Sequence, residues 1–140
     1  AYQERCHSEV KAKLSQSKIW GSEADEIMAA LITENYLNEE RFARSFVRGK
    51  FRIKQWGRNK IIQALKQKQI SEYCIRKGIK EIEEDTYFQT LEKLASDKFQ
   101  SLKNEQYLRR KFKTLQFLLA KGYEADLIND TLKVITDKKK

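Results

Sequence analysis

The sequence predicts an all-α protein: an elongated array of tandem three-helix repeats, about eight helices in all, with the first repeat lacking its opening helix. Three observations carry that prediction. The 140 residues include no proline and five glycines, and helix formers dominate between them. No segment alternates apolar and polar residues with the period of two that a half-buried strand requires. Apolar anchors recur about every 50 residues.

Apolar spacing places helices over roughly 3–15, 22–35, 38–54, 58–69, 71–84, 86–102, 104–120 and 124–136. Polar residues that accept from unpaired first-turn N–H groups mark several starts. Ser22 ahead of Asp25, Asn38 ahead of Glu39 and Glu40, Ser71 ahead of Glu72 and Asp85 ahead of Thr86 all read as N-caps with acid near the positive helix end. Gly21, Gly57 and Gly122 supply joints.

Leu14, Leu65 and Leu115 each lie in a basic amphipathic helix, 51 and 50 residues apart, and 17 residues after each come Leu31, Ile82 and Leu132. Ile27, Ile79 and Ile128 share the buried stripe of the following helices. The expected organisation is an incomplete first repeat over 1–37, a strongly basic second over 38–85, a third over 86–137 and a basic tail over 138–140. Such units pack chiefly on their neighbours, hence the elongated array. The missing opening helix, with Ala1 in place of Met, suggests a start partway into the first repeat or a trimmed chain.

Charge is distributed unevenly. Residues 1–40 carry 4 Lys/Arg and 8 Asp/Glu; residues 41–71 carry 10 Lys/Arg and no acid; residues 72–140 carry 15 and 12. Around helix 38–54, Phe42, Ala43, Phe46, Val47 and Ile53 fall on one side, and Arg41, Arg44, Arg48 and Arg52 gather on the other within roughly 80°. Lys50, Lys54, Arg58 and Lys60 extend the basic surface, with Lys66 and Lys68 beyond. Guanidinium groups one turn apart repel, each i,i+4 pair costing a few tenths of a kcal/mol in a free helix. That cost, and the planar fork that arginine offers to phosphate or carboxylate, point to a polyanionic partner.

Other chemistry finds little support. His7-Ser8-Glu9 has the H-x-E form of zinc deaminases, but their P-C-x-x-C needs a proline this chain lacks. One histidine and the distant Cys6 and Cys74 do not make a metal site, and both cysteines read as reduced packing residues. Trp20 and Trp56 each precede a glycine; Trp56 either plugs a joint between helices or stacks on a base. Glu23, Asp25 and Glu26 belong to a helix's first turn rather than to an acid–base pair. No glycine-rich phosphate loop, nucleophile elbow, triad, zinc-finger spacing or RNP motif occurs. The expectation is therefore a cytoplasmic, non-enzymatic binder with no cofactor, no membrane span and no small-molecule substrate.

The stretch Tyr36-Leu37-Asn38-Glu39-Glu40-Arg41-Phe42-Ala43-Arg44-Ser45-Phe46-Val47, running on to Trp56-Gly57-Arg58-Asn59-Lys60-Ile61-Ile62, resembles the RecX family, bacterial regulators of the RecA recombinase. Glu39-Glu40 stands where the family more often has two aspartates, and either acid serves a helix N-terminus. Val10-Lys11-Ala12-Lys13-Leu14 looks like the first-repeat helix, and Lys111-Phe112 through Leu119-Ala120-Lys121-Gly122-Tyr123 like its third-repeat counterpart. The resemblance implies a curved array of three-helix repeats lodged in the groove of a RecA–single-stranded DNA filament, suppressing filament growth, ATP hydrolysis and strand exchange. It also implies contacts from Arg41, Arg44, Arg48, Arg52, Arg58 and Lys60; Lys50 and Lys54 join them on charge alone. A stand-alone nucleic-acid-binding module is the alternative.

Overall fold

The computed structural model describes residues 5–34 and 37–138, all eight of its regular elements being helices. They are α1 (His7–Gln16), α2 (Gly21–Thr33), α3 (Glu39–Arg52), α4 (Arg58–Gln67), α5 (Glu72–Ile79), α6 (Glu84–Ser101), α7 (Tyr107–Lys121) and α8 (Ala125–Lys138). The expected helix start at 3, Tyr36 and part of the basic tail lie outside the described residues.

Asn38 and Ser71 cap as their chemistry requires. Asn38 Oδ1 accepts from the Arg41 N–H at 2.9 Å, and Ser71 Oγ from the Cys74 N–H at 3.2 Å. Ser22 and Asp85 do not cap. α2 opens one residue earlier, at Gly21, whose φ of +63° suits glycine, and Trp20 takes the cap position. α6 opens at Glu84, so Asp85 sits inside the first turn and acts on the helix dipole. Ile53, expected on the buried side of the third helix, is 80% exposed because α3 ends at Arg52.

The middle helix of each repeat ends alike, and the shared ending sets the repeat register. The Ile19 N–H donates to Leu14 O (2.8 Å), that of Ile70 to Leu65 O (3.2 Å) and that of Tyr123 to Leu118 O (3.2 Å). Just before each, Lys18, Gln69 and Gly122 take φ of 61°, 63° and 101°. This is the Schellman ending, with an apolar residue folded back over the last turn. The third member of the leucine series is therefore Leu118, fully buried, and not Leu115. α7 runs about one turn longer than α4, so even spacing led to the wrong leucine. With 53 residues separating matched positions after that turn, Ile75 pairs with Ile128, Ile79 with Leu132 and Ile82 with Ile135. In the opening helices a shift of 48 aligns the buried Ala43, Val47 and Phe51 with Leu91, Ala95 and Phe99.

The chain forms two compact units. One comprises 1–49 and 63–81, the other 50–62 and 82–140. In the first, α1 packs on α2, and the core includes Met28, Leu37, Phe42, Val47, Leu65 and Ile75. Polar contacts bind α1 to the rest of this unit. Ser8 Oγ donates to Lys68 O (2.8 Å), Lys68 Nζ meets Glu9 (3.0 Å), and Glu39 accepts from the His7 N–H (2.9 Å). Burial pushes the Glu9 carboxyl up, but the hydrogen bonds from Lys68 and the Cys6 N–H, with the Lys68 charge, bring it below its ordinary range.

In the second unit α6, α7 and α8 pack on one another around Leu91, Phe99, Leu118, Ile128 and Leu132. The α3–α4 corner belongs to this unit and docks through backbone. Gly57 N–H donates to Lys121 O (2.8 Å) and Asn59 N–H to Gly122 O (2.9 Å). A Cβ on Gly57 would lie 2.4 Å from the Gly122 carbonyl carbon, so only glycine permits the approach.

Candidate polyanion interface

In the first unit, α3 carries Arg41, Arg44 and Arg48 one turn apart, and with Asn38 and Glu40 they line one open concavity. Acids from outside the acid-free stretch reach this face. Glu40 holds Arg44 at 2.7 Å, and Glu81, just beyond α5, lies 3.8 Å from Arg44 and 3.4 Å from Arg48. Glu81 escaped sequence reasoning: it is one acid among several near 81–85, and only the packing of α5 against α3 brings it here. That packing is tight, because a Cβ on Gly78 would sit 3.0 Å from Ala43 O and 3.1 Å from a Val47 methyl. The Arg44 and Arg48 side chains remain 43% and 40% exposed, so each pair is worth ~0–1 kcal/mol and yields readily to a competing anion.

In the second unit, Arg52, Lys54 and Ile53 stand exposed at the end of α3 and the turn after it. Trp56 lies half-buried, with Lys50 Nζ 4.8 Å and Lys60 Nζ 4.5 Å from its ring centroid. Each ammonium is attracted by the negative ring face, and the indole holds two cations close together. Lys121 adds a third nearby, its Nζ donating to Lys54 O at 3.0 Å.

Arg58 is placed differently from the other sequence-predicted residues. Its guanidinium lies 3.9 Å over the Tyr87 ring and meets Glu124 at 3.0 Å, while its N–H donates to Tyr87 Oη at 3.0 Å. Tyr87 Oη in turn donates to Glu124. Tyr123, its ring tilted against that of Tyr87 with centroids 5.2 Å apart, donates to Gln55 O at 2.9 Å. Burial raises the pKa of both phenols; at Tyr87 the Arg58 N–H bond opposes this and Glu124 adds to it, and at Tyr123 the Glu124 carboxylate adds to it. Arg58 thus braces the corner. Its partners Tyr87 and Glu124 carried no sequence signal, since they lie 29 and 66 residues away.

Cys6 is buried and Cys74 half-buried, both as free thiols. Among the described residues no group of His, Cys, Asp and Glu could hold a metal ion, and no helix is long and apolar enough to cross a membrane.

Fold and site together define a tandem three-helix-repeat protein with a cationic second repeat. Residues 38–79 match the family model described as RecX, second three-helix domain, and residues 85–132 match RecX, third three-helix domain. The chain belongs to the RecX family of regulatory proteins. It is 33% identical over 138 residues to regulatory protein RecX of Clostridium perfringens, covering 95% of this chain and 63% of that one. It is 25% identical over 139 residues to that of Bacillus mycoides, covering 99% and 52%. The chain therefore spans about half to just under two thirds of these relatives. The crystal structure of RecX from Lactobacillus salivarius has the same fold, with a TM-score of 0.86 and 24% identity over 96% of this chain and 88% of that one. A crystal structure of another regulatory protein RecX gives 0.84 and 26%, covering 97% of this chain and 65% of that one.

Proposed function

We propose that this chain binds the filament that a RecA recombinase forms on single-stranded DNA and restrains filament growth, ATP hydrolysis and strand exchange. It acts in the cytoplasm by binding, without a catalytic centre. The observation that carries this reading is the cationic face of the second repeat, in a chain of a regulatory family, with ion pairs weak enough to exchange.

Arg41, Arg44 and Arg48 meet the polyanion by trading Glu40 and Glu81 for phosphate or for acids of the recombinase. Lys50, Arg52, Lys54 and Lys60 supply the contacts of the second unit. Arg58 serves as a brace and contributes indirectly. Each single-strand phosphate neutralised adds about −0.7 to the slope of log affinity against log salt.

The test is ATP hydrolysis by a bacterial RecA on single-stranded DNA, with this protein titrated up to equimolar. Suppression at a small fraction of equimolar, below what competition for DNA accounts for, supports filament regulation. Suppression only once the DNA is saturated replaces it with a stand-alone nucleic-acid binder.

A further inference from the structure

The groove between the first and third helices of a repeat changes character between the second and third repeats. In the second unit, α6 and α8 form a groove lined by Phe88, Glu92, Leu127, Asp130, Thr131 and Val134. Its walls, Phe88 and Val134, are 41% and 47% exposed, and Glu92 and Asp130 form an acidic rim. The matched positions of the second repeat are Glu40, Arg44, Cys74, Lys77, Gly78 and Glu81, where apolar walls give way to charged side chains and the rim is cationic.

The same unit carries the complementary surface. Leu108, Phe112 and Leu119 on α7 are 76%, 60% and 41% exposed, and with the half-buried Leu115 they form a stripe at i, i+4, i+7 and i+11. This is the spacing of a helix face that docks in a groove. α7 carries no acid, and Arg109, Lys111 and Lys113 flank the stripe. Counting back from the shared Schellman ending, Asn59, Ile62 and Lys66 stand in α4 where Phe112, Leu115 and Leu119 stand in α7. The stripe is thus peculiar to the repeat that owns the acidic groove.

We propose that the α7 stripe of one chain docks in the α6–α8 groove of a second copy, basic flank to acidic rim. The contact is heterologous, head to tail, and leaves a free groove at one end and a free stripe at the other. The stripe spans 12 residues, about 16 Å of helix, so the buried area falls short of the ~1,200 Å² of a stable interface and the contact is weak in free solution. Copies held side by side on a shared polyanion gain it through raised effective concentration.

The experiment is sedimentation equilibrium of the whole chain from about 10 μM to 1 mM at low salt, without DNA or recombinase, so failure here leaves the proposed function standing. The weight-average mass should climb above the 16.6 kDa monomer without a plateau at the dimer. A stripe variant, Leu108→Ser with Phe112→Ser, and a groove variant, Glu92→Lys with Asp130→Lys, should each stay monomeric with unchanged helicity, since all four residues are exposed. Mixed one to one, they should form a two-chain complex and stop, because each retains the half the other lost. A wild-type chain that stays monomeric to 1 mM, or either variant associating as the wild type does, overturns the proposal.

Discussion

At the groove between its first and third helices, the second repeat sets Glu40, Arg44, Lys77 and Glu81 where the third sets Phe88, Glu92, Asp130 and Val134. The backbone plan is common: both repeats align Ala43 or Leu91, Val47 or Ala95 and Phe51 or Phe99 on the buried side. What differs is what each rim presents. In one, guanidinium groups are held loosely by carboxylates; in the other, exposed apolar side chains stand between acids. Core positions answer to packing, which the fold shares, whereas rim positions are free to diverge and carry the partner chemistry. The arginine face of α3 tells the same story: Arg41, Arg44, Arg48 and Arg52 align with Gln89, Glu92, Ser96 and Gln100.

The sharpest way to break this difference is to undo the docking that places the α3–α4 corner in the same compact unit as the third repeat. Gly57→Ala forces a methyl against the Gly122–Tyr123 backbone and should cost about 3 kcal/mol, read from the urea midpoint. A wild-type midpoint would mean the corner yields without penalty. Next in size is charge reversal in the second repeat. Arg44, Arg48 and Arg52 to Glu should lower affinity for the filament about a hundredfold and flatten the salt dependence. Replacing Gln89 and Gln100 by Glu at matched third-repeat positions should change affinity less than threefold. Equal losses from both sets would sink the idea that the second repeat is the polyanion surface.

Tyr87→Phe should cost about 1–3 kcal/mol, since the Arg58 N–H and Glu124 both lose a partner. It also carries a pH signature. Both buried phenols have a raised folded-state pKa, so the folded chain keeps its full stability below the ordinary phenol value near pH 10 and loses it progressively as pH climbs above that value toward the raised folded-state ones. Denaturation midpoints of wild type should fall across that window, and those of the Tyr87→Phe, Tyr123→Phe double variant should fall less. The smallest effect is a gain. Gln69 has φ of 63° where the third repeat has Gly122, so Gln69→Gly should add about 1 kcal/mol, seen as a small rise in Tm. No rise would show that the second repeat holds its left-handed residue without strain.

Much of this molecule is written locally. Helix number, the caps at Asn38 and Ser71 and the arginine face of α3 follow from side-chain chemistry and the 3.6-residue period, which act over a few neighbours. The repeat was visible in outline, but even spacing chose Leu115 over Leu118, because an added turn leaves no mark until the Schellman endings align the helices. Only the tertiary structure decided that Arg58 is a brace, that Glu81 reaches Arg44 and Arg48, and that the corner 50–62 belongs with 82–140. The physical reason is range. A charge run shows which sign a surface was given, but its partners lie tens of residues away, and only packing decides which acids arrive.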